Sequence, residues 1–405
     1  MEKREKRRKK NLTYYLSISP SSFPLLLMIF IISMQSKIKN DVKNIMEGKG
    51  GNSILSVVLL ILSWFYGFGH RLRLNLYKIG ILKTKSLPVP VISIGNITVG
   101  GTGKTPAVIM TAELLKETGR KVAVLSRGYK GKTAGEINIV SDGNKILMKP
   151  LESGDEPYMM ASRLKGVPVI TGADRYKTGM YAVEKFDAEV ILLDDGYQHV
   201  QLKRNLNILL IDSNYPFGNG YLLPRGTLRE PISYIDRADV IILTKARSQK
   251  SEVCKSRYVS EGFFDVNNNK TIALDEAKGK KGFAFCGIAS PDSFKNSLKE
   301  TGIDTRGFVS FEDHYQFTKE DIEGLINKAR ETGSEILVTT EKDAVRLMEF
   351  NTTPLSPPSQ GGDEGEVFNL KNIAFPIWIL KIKMEIFEGK EMLFSKIKEA
   401  IDSNF

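Results

Sequence analysis

A glycine-rich segment between an apolar run and a helical pattern constrains the fold of this chain more than any other feature. The segment reads VISIGNITVGGTGKTP over residues 91–106. Pro90–Ile94 predicts a strand and Pro106–Thr118 predicts a helix. A strand, a glycine loop ending in GKT and a helix form the pattern of a P-loop, whose backbone N–H groups and helix N-terminus bind phosphate. The pattern predicts nucleotide-phosphate binding by Gly100, Gly101, Thr102, Gly103, Lys104 and Thr105.

Two side chains of this loop indicate which ligands it binds. Lys104 has the position of the lysine that reaches the β- and γ-phosphates, and Thr105 has that of the hydroxyl that ligates Mg²⁺. We therefore expect ATP and Mg²⁺ as cofactors. Thr98 stands where the usual GxxxxGK[ST] pattern has glycine. The loop is closer to a variant with a double glycine, although Val99 replaces the extra lysine of that variant.

Short apolar runs alternate with helical patterns after Pro88, which predicts an α/β fold with a mostly parallel sheet. We place a P-loop catalytic α/β domain over 88–245 and a smaller α/β domain over 246–405. The predicted strands after the P-loop are Lys121–Leu125, Val167–Ile170, Ala188–Leu193, Asn207–Ile211, Val240–Leu243, Gly282–Phe285, Gly307–Phe311, Ile336–Thr339 and Trp378–Ile382. Residues 352–366 are rich in Pro, Gly and Ser, which predicts a disordered insertion in the second domain.

Residues 1–50 form an N-terminal extension, in which a basic decapeptide precedes the apolar run Phe23–Ile32. This pattern is typical of a signal peptide or a short anchor, and three interpretations compete. A cleaved signal would export a nucleotide-binding chain to a place without ATP. A true anchor would add a membrane contact. We favour a start codon assigned too early, with Met34 as the biological start.

A second apolar run, Ile54–Phe68, lies within residues 51–87 and ends in aromatic residues just before a basic stretch that starts at Arg71. The run is shorter than the roughly 20 residues that span a bilayer. Aromatic residues beside basic ones suit the headgroup boundary of a membrane. The run is either a buried core helix or a monotopic helix that dips into one leaflet, and we favour the second.

Charge and cysteine content argue against two classes of function. The net charge of +11 comes almost entirely from residues 1–10 and 71–85, which flank the two apolar runs. This distribution suits an anionic membrane surface better than a nucleic-acid groove, so we expect no nucleic-acid partner. The two cysteines, Cys254 and Cys286, form no CxxC pair, which makes a zinc site or a disulfide framework unexpected.

Two adjacent aspartates, Asp194 and Asp195, follow the apolar strand Ala188–Leu193. Ligands of open α/β sheets gather at the carboxyl ends of strands, where a carboxylate can hold Mg²⁺ directly or through water. We therefore assign both aspartates, with Thr105, to the metal site. His199 follows closely, either as a satisfied polar residue or as a substrate contact.

Three further segments carry polar residues that a fold alone does not require. Asp155, in the acidic stretch before a helix predicted from Tyr158, reads as a helix N-cap. His314 lies between aromatic and acidic residues, and is either structural or shares a proton with a carboxylate. The irregular segment Gly218–Pro231 contains Arg225 and Arg229, and arginine binds phosphate bidentately.

The ordered set of motifs resembles the tetraacyldisaccharide 4′-kinases of lipid A biosynthesis. The resemblance covers roughly residues 51–405 apart from the insertion. Besides the aromatic-ended apolar helix, the matching motifs are VPVISIGNITVGGTGKTP at 89–106, SRGY at 126–129, GDEP at 154–157, DDGYQH at 194–199, GNGYLLPRGTLREP at 218–231, FCGIASP at 285–291, FEDHYQF at 311–317 and TTEKDAVRL at 339–347.

The resemblance implies two Rossmann-like α/β domains of the P-loop type with a membrane-associated N-terminal helix and an active site between the domains. It implies phosphorylation of the 4′-hydroxyl of a tetraacylated glucosamine disaccharide 1-phosphate to give lipid IVA. Asp155 would then pair with His314 to take the hydroxyl proton, with Lys104 as the third catalytic residue. The residues assigned to substrate binding are Asn96, His199, Arg229 and Glu230.

These inferences predict a kinase at the cytoplasmic face of the inner membrane, peripheral or monotopic. Its partners would be a lipid-linked disaccharide and the anionic membrane surface, without an obligate protein partner. The alternative is an ATPase switch with a double-glycine P-loop that acts with a protein partner at the membrane. A switch would hydrolyse ATP without the lipid acceptor, whereas a kinase would barely do so.

Overall fold

The computed structural model describes residues 38–128, 135–246, 253–348 and 373–402. Both Phe23–Ile32 and the insertion at 352–366 lie outside the described residues, so their interpretations stay predictions. The chain divides into one unit that ends at Gly69 and includes Gly218–Leu228, and a second that holds His70–Phe217 and Arg229–Phe405. The predicted boundary near residue 245 falls inside the second unit and stays a prediction.

The first unit is built around helix α1, Ser53–Lys78, which continues into the second unit. Only Leu59, Ser63 and Gly67 of this helix are buried, and Ser63 Oγ donates a hydrogen bond of 2.9 Å to the Leu222 carbonyl. The interpretation as a buried core helix is therefore wrong. The large apolar side chains that α1 exposes are Ile54, Val57, Val58, Ile61, Leu62, Trp64, Phe65, Tyr66, Phe68 and Leu72.

Helix α1 is longer than the apolar run that predicted it. It has 26 residues and continues from Phe68 to Lys78, because Arg, Leu and Lys are good helix formers and a change from apolar to charged residues does not end a helix. By length and composition α1 is long and apolar enough to cross a membrane. The length of the helix therefore no longer favours a monotopic placement over a transmembrane one, and the monotopic placement stays a prediction.

In the second unit, five crossover connections build a parallel array around β1. The strand order is β7-β6-β1-β5-β2-β4, with β3 antiparallel at the edge. Most of these strands are buried along their whole length, as expected when helices cover both faces. The elements are β1 Val91–Gly95, α2 Lys104–Glu117, β2 Val122–Ser126, β3 Asn138–Ser141, α3 Pro150–Ser153, α4 Asp155–Arg163, β4 Val169–Thr171, α5 Arg175–Phe186, β5 Val190–Asp194, β6 Leu206–Asp212, a 3₁₀ helix Ile232–Arg237 and β7 Val240–Thr244.

A second parallel array, in the order β11-β10-β12-β13, continues the same sheet. The two arrays meet where β13 runs antiparallel to β8, over ten paired positions. The elements are β8 Cys254–Asp265, β9 Lys270–Ile272, α6 Leu274–Ala277, β10 Lys281–Cys286, α7 Pro291–Thr301, β11 Asp304–Ser310, α8 Lys319–Glu331, β12 Ile336–Thr340, α9 Glu341–Met348, β13 Ile377–Glu388 and α10 Lys390–Asp402.

The predicted fold class is confirmed, since every predicted strand is present within a few residues of its expected position. Strand β8 was missed because its sequence, CKSRYVSEGFFD, keeps neither an apolar run nor a strict alternation. The expected start of a helix at Tyr158 was also wrong, because α4 already begins at Asp155. Pro157 is tolerated there, in the first turn, where backbone N–H groups have no partner within the helix.

Candidate active site

The glycine loop lies between the carboxyl end of β1 and the first turn of α2, as a P-loop requires. Gly103 precedes α2 in the left-handed region, with φ 87°, which glycine adopts without strain. A Cβ at this position would also overlap the hydroxyl of Tyr258. Lys104 and Thr105 are the first two residues of the helix, so both side chains begin where bound phosphate would meet the helix N-terminus.

Asn96 braces this loop from within. Its side chain is fully buried, and Nδ2 donates hydrogen bonds to the Thr98 carbonyl at 2.7 Å and to Thr102 Oγ1 at 2.8 Å. Its Oδ1 accepts from Lys104 Nζ at 3.3 Å and from Arg229 Nη1 at 3.2 Å. Asn96 thus fixes the path of the loop at the position where Thr98 departs from the usual pattern. Its assignment to substrate binding stays a prediction.

Asp194 ends β5 as a buried carboxylate with one satisfied oxygen. Oδ2 accepts a hydrogen bond of 2.8 Å from Ser126 Oγ, whereas Oδ1 is buried and has no hydrogen-bond partner among the described residues. Burial, followed by the neighbouring charges of Glu156 and Asp195, raises the pKa of this carboxyl above its usual range. A cation beside Oδ1 would relieve both the repulsion and the missing contact.

Asp195, by contrast, is already paired. Arg229 donates two hydrogen bonds to its carboxylate, at 2.7 and 2.8 Å, and Lys104 Nζ lies 3.7 Å from Oδ1. Burial raises the pKa of Asp195, but the hydrogen bonds from Arg229 and the charge of Lys104 outweigh it and hold the pKa below its usual value. Arg229 therefore links this carboxylate to Asn96 and the P-loop.

The residues predicted to hold Mg²⁺ fit that ion. Mg²⁺ is bound in kinases by one or two carboxylates together with phosphate and water. Asp194 offers a buried oxygen without a hydrogen-bond partner among the described residues, and Thr105 lies in the first turn of α2. The described residues contain no cluster of three or more His, Cys, Asp or Glu side chains. Such a cluster is not needed where substrate phosphates complete the coordination.

Asp155 and His314 come from the two arrays and meet in the same cleft. Asp155 is the first residue of α4, and Gly154 is the N-cap, so the N-cap interpretation of Asp155 is wrong. Its Oδ2 lies 3.3 Å from His314 Nδ1. Although burial raises the pKa of Asp155, hydrogen bonds from His314 and Arg346 lower it to about 2. The carboxyl is therefore ionised at neutral pH.

His314 is held by its backbone as well as by its ring. Its φ is 61°, an uncommon value for a residue with a side chain, and its N–H donates to the Gly287 carbonyl at 3.1 Å. On the other side of the ring, Nε2 lies 3.4 Å from Lys342 Nζ. Lys342 also lies 3.4 Å from Glu156 Oε1, so the cation stands between the two arrays.

Arg346 was missed by the sequence analysis and is a buried charge at the site. Its side chain has no exposed surface, and Nε donates to Asp155 Oδ2 at 2.7 Å. Nη1 donates to the Gly287 carbonyl at 2.7 Å and to Asp343 Oδ1 at 3.0 Å. A usable signal was the i, i+4 spacing of Lys342 and Arg346 directly after strand β12, which puts two cations on one face of α9.

Two cavities of the second unit share one wall. The residues common to both are Gly100, Gly101, Lys104, Glu156, Ala289 and Lys342. The first cavity extends past the P-loop to Tyr258 and Phe294. The second is lined by Asp155, Asp194, Asp195, Arg229 and His314. Most predicted catalytic and metal residues thus face a single cleft on the carboxyl side of the P-loop strand.

His199 and Glu230 do not line either of these cavities. Burial, followed by the charges of Arg175 and Arg204, lowers the pKa of His199 to about 4. Glu230 is fully buried and pairs with Arg237, and its Oε2 lies 3.5 Å from His70 Nε2. The structure therefore separates these two residues from the P-loop cleft, and their assignment to substrate binding stays a prediction.

Comparison with known proteins identifies the family. The family model described as tetraacyldisaccharide-1-P 4′-kinase matches residues 55–401. The chain belongs to this family. Among its relatives, the tetraacyldisaccharide 4′-kinase of Desulfotalea psychrophila is 44% identical over 72% of this chain and 88% of the relative. That of Geobacter metallireducens is 42% identical over 73% of this chain and 89% of the relative.

A solved structure of the tetraacyldisaccharide 4′-kinase family has the same fold. The crystal structure of LpxK from Aquifex aeolicus in complex with ATP is 35% identical and has a TM-score of 0.66. The match covers 86% of this chain and 99% of that one. The family resemblance predicted from the motifs, the kinase class and the α/β fold are confirmed by these comparisons. The alternative of an ATPase switch finds no support in them.

Proposed function

We propose that this protein transfers the γ-phosphate of ATP to the 4′-hydroxyl of a tetraacylated glucosamine disaccharide 1-phosphate, giving lipid IVA and ADP. The observation that carries the proposal is the shared cleft, in which P-loop residue Lys104 and the Asp155–His314 pair line one cavity. The names of the curated relatives, tetraacyldisaccharide 4′-kinases, supply the acceptor class. A phosphate cradle facing a carboxylate–imidazole pair is the arrangement that in-line transfer to a hydroxyl needs.

The nucleotide would be held by its phosphates. The backbone N–H groups of Gly100–Gly103 and the N-terminus of α2 bind the β- and γ-phosphates, and Lys104 neutralises charge that develops on them. Asn96 Oδ1 accepts a hydrogen bond from Lys104 Nζ and another from Arg229, so Asn96 helps to keep Lys104 in place. Lys342 faces the same cavities from the second array. The terminal phosphate would therefore lie between cations from both arrays.

When bound, Mg²⁺ would supply a Lewis acid that stabilises the charge developing on the transferred phosphate. Thr105, Asp194 and Asp195 are the residues that would hold the ion. Asp195 is fixed by the two hydrogen bonds from Arg229, so its carboxylate cannot turn freely. Arg229 would act by orienting this carboxylate and Asn96.

The Asp155–His314 pair would accept the proton of the acceptor hydroxyl. As the hydroxyl oxygen bonds to the γ-phosphorus, the bond from that phosphorus to the β,γ-bridging oxygen breaks and its electrons leave with ADP. The proton passes to the pair, which already has its two members in contact at 3.3 Å. We keep the division into domains at 88–245 and 246–405 as part of this proposal, since Asp155 and His314 then come from different domains.

The test of the function is mass spectrometry of the acceptor. Purified protein with ATP and Mg²⁺ should add one phosphate to the tetraacylated disaccharide 1-phosphate, at the 4′ position. ADP release in the absence of the lipid should be slow, because the hydroxyl that attacks is then missing. ADP release at full rate without any lipid, and an unchanged acceptor mass, would favour the ATPase switch.

We further propose that α1 places the enzyme at the cytoplasmic face of the inner membrane. Its exposed apolar side chains would enter the lipid, and the basic residues between Arg71 and Lys85 would contact anionic headgroups. ATP is available on that side, and no obligate protein partner is needed for the chemistry proposed above. Whether α1 lies in one leaflet or crosses the bilayer is decided by protease protection of its N-terminal side in sealed vesicles.

Exposed apolar residues of α1 should control membrane binding. Replacing Ile61, Phe65 and Phe68 with serine should weaken binding to vesicles containing anionic lipid by about 10² or more, since burying each such side chain is worth about 1.5–3 kcal/mol. Vesicle co-sedimentation measures this. Tyr215→Ser removes an equally exposed aromatic residue outside α1 and should leave binding unchanged. Equal binding by the triple variant would disprove membrane attachment through α1.

A further inference from the structure

Arg346 occupies a position that neither the phosphate cradle nor the fold explains by itself. It is the largest side chain without exposed surface in the described part of the chain, and it reaches from α9 to the catalytic pair. A buried guanidinium is costly unless every part of it is paired. Here Nε faces Asp155, while Nη1 is held from behind by Asp343 and the Gly287 carbonyl.

The support behind Arg346 is itself rigid. Asp343 is fully buried, and its Oδ1 also accepts from the Gly287 N–H at 3.0 Å. Its Oδ2 accepts from Thr340 Oγ1 at 2.6 Å. Gly287 in turn accepts the backbone N–H of His314. One buried network therefore fixes Arg346 and the backbone of His314 together.

The guanidinium touches both members of the pair. Nε lies 2.7 Å from Asp155 Oδ2, the same oxygen that lies 3.3 Å from His314 Nδ1. Nη2 lies 3.3 Å from His314 Nδ1. A carboxylate that accepts a charge-assisted hydrogen bond from a buried arginine has one preferred orientation. Loss of Arg346 would leave Asp155 free to turn and poorly paired in a buried place.

We propose that Arg346 is the positioning residue of the Asp155–His314 pair, holding Asp155 as an oriented carboxylate while Asp343 and Gly287 lock the guanidinium to the His314 segment. This inference rests on the proposed function, because it assigns Arg346 a role in the proton transfer described above. Arg346 does not line the two cavities of the cleft. It acts through Asp155 and not on the substrates.

The proposal predicts how activity depends on pH. The charged groups that face Asp155 are Arg346 from α9 and His314 from the loop after β11, and Lys342, Glu156 and Asp313 lie in the next layer. Burial raises the pKa of Asp155, and His314 and Arg346 lower it. Without Arg346, mainly His314 would remain to lower this pKa, so the pKa of Asp155 should rise. Protonated Asp155 cannot assist the transfer, so kcat/KM should fall at a higher pH on acidification than in the unsubstituted protein.

The decisive measurement compares Arg346→Met and Arg346→Lys with the unsubstituted enzyme. Arg346→Met should lower kcat by about 10², leave the KM for ATP nearly unchanged and move the acidic limb of the kcat/KM profile to higher pH. Arg346→Lys keeps the positive charge. Its kcat and the position of its acidic limb should lie between those of Arg346→Met and those of the unsubstituted enzyme. Arg330→Met, at an exposed position at the end of α8, is the matched control and should change neither kcat nor the position of the acidic limb.

The outcomes separate this inference from the proposed function. If Arg346→Met does not fold, Arg346→Lys still tests the shift of the acidic limb. If the acidic limb of the kcat/KM profile lies at the same pH in the folded variants as in the unsubstituted enzyme, Arg346 has a purely structural role and the proposal is overturned. If Asp155→Asn itself retains full activity, then the proton-transfer role of the pair fails, whatever Arg346 does.

Discussion

Asp155→Asn should lower kcat by about 10²–10⁴ while the Kd for ATP stays nearly unchanged. The substitution keeps the shape of the side chain and removes the charge that His314 and Arg346 pair with. Removal of a positioned base typically costs that much in rate. The P-loop is untouched, so nucleotide binding persists. Single-turnover phosphorylation of the lipid acceptor, with ATP binding measured by calorimetry, separates the two effects.

Asp275→Asn is the matched control, since Asp275 is exposed in the short helix α6 of the second array. It should leave both kcat and ATP binding as they are. Thermal unfolding of both variants checks that they fold. A kcat for Asp155→Asn close to that of the unsubstituted enzyme would contradict a role for the pair in taking the hydroxyl proton.

Lys104→Met should lower kcat/KM for ATP by about 10²–10³, the usual effect of removing one preorganised group that stabilises charge in the transition state. Lys104 has its ammonium within 3.3 Å of Asn96 and 3.7 Å of Asp195, so it is aimed at the cradle before nucleotide binds. Unlike Asp155→Asn, this variant should also weaken ATP binding. Steady-state kinetics with varied ATP measures both effects.

Lys145→Met serves as the control for charge, because Lys145 is exposed in the turn after β3. It should behave as the unsubstituted enzyme does. A Lys104→Met enzyme with unchanged kcat/KM for ATP would show that the cradle is not where the transferred phosphate is bound.

Local sequence predicted the strand and the helix on either side of the glycine loop, because these parts are close in the chain. The segment Val91–Pro106 contains a buried strand, glycines with positive φ and the start of a helix. Asp194 and Asp195 were found for the same reason, since an apolar run ending in acids marks the carboxyl end of a strand. The metal assignment followed from these local patterns and not from any long-range contact.

The other side of the site depends on contacts that no local pattern describes. Arg346 is 191 residues from Asp155, and its helix, α9, follows an ordinary buried strand. Its role depends on the pairing of β8 with β13, and β8 itself was missed. The sequence analysis assigned Asn96 to substrate binding and did not predict its contacts within the P-loop. Its function as a brace became visible once Thr98, Thr102 and Arg229 were placed around it.

The pairing of β8 with β13 has a consequence for how the chain is made. In chain order, the other three strands of the second array, β10, β11 and β12, lie between β8 and β13, so they form an insertion that β13 closes. The final helix, α10, then returns to the core of the first array through Leu393, Ile397 and Ala400. During synthesis from the N-terminus, β8 keeps an open edge until β13 emerges. A chain that stops before β13 would contain the residues of the phosphate cradle and of the proton pair, but it would lack the strand that joins the two arrays into one sheet.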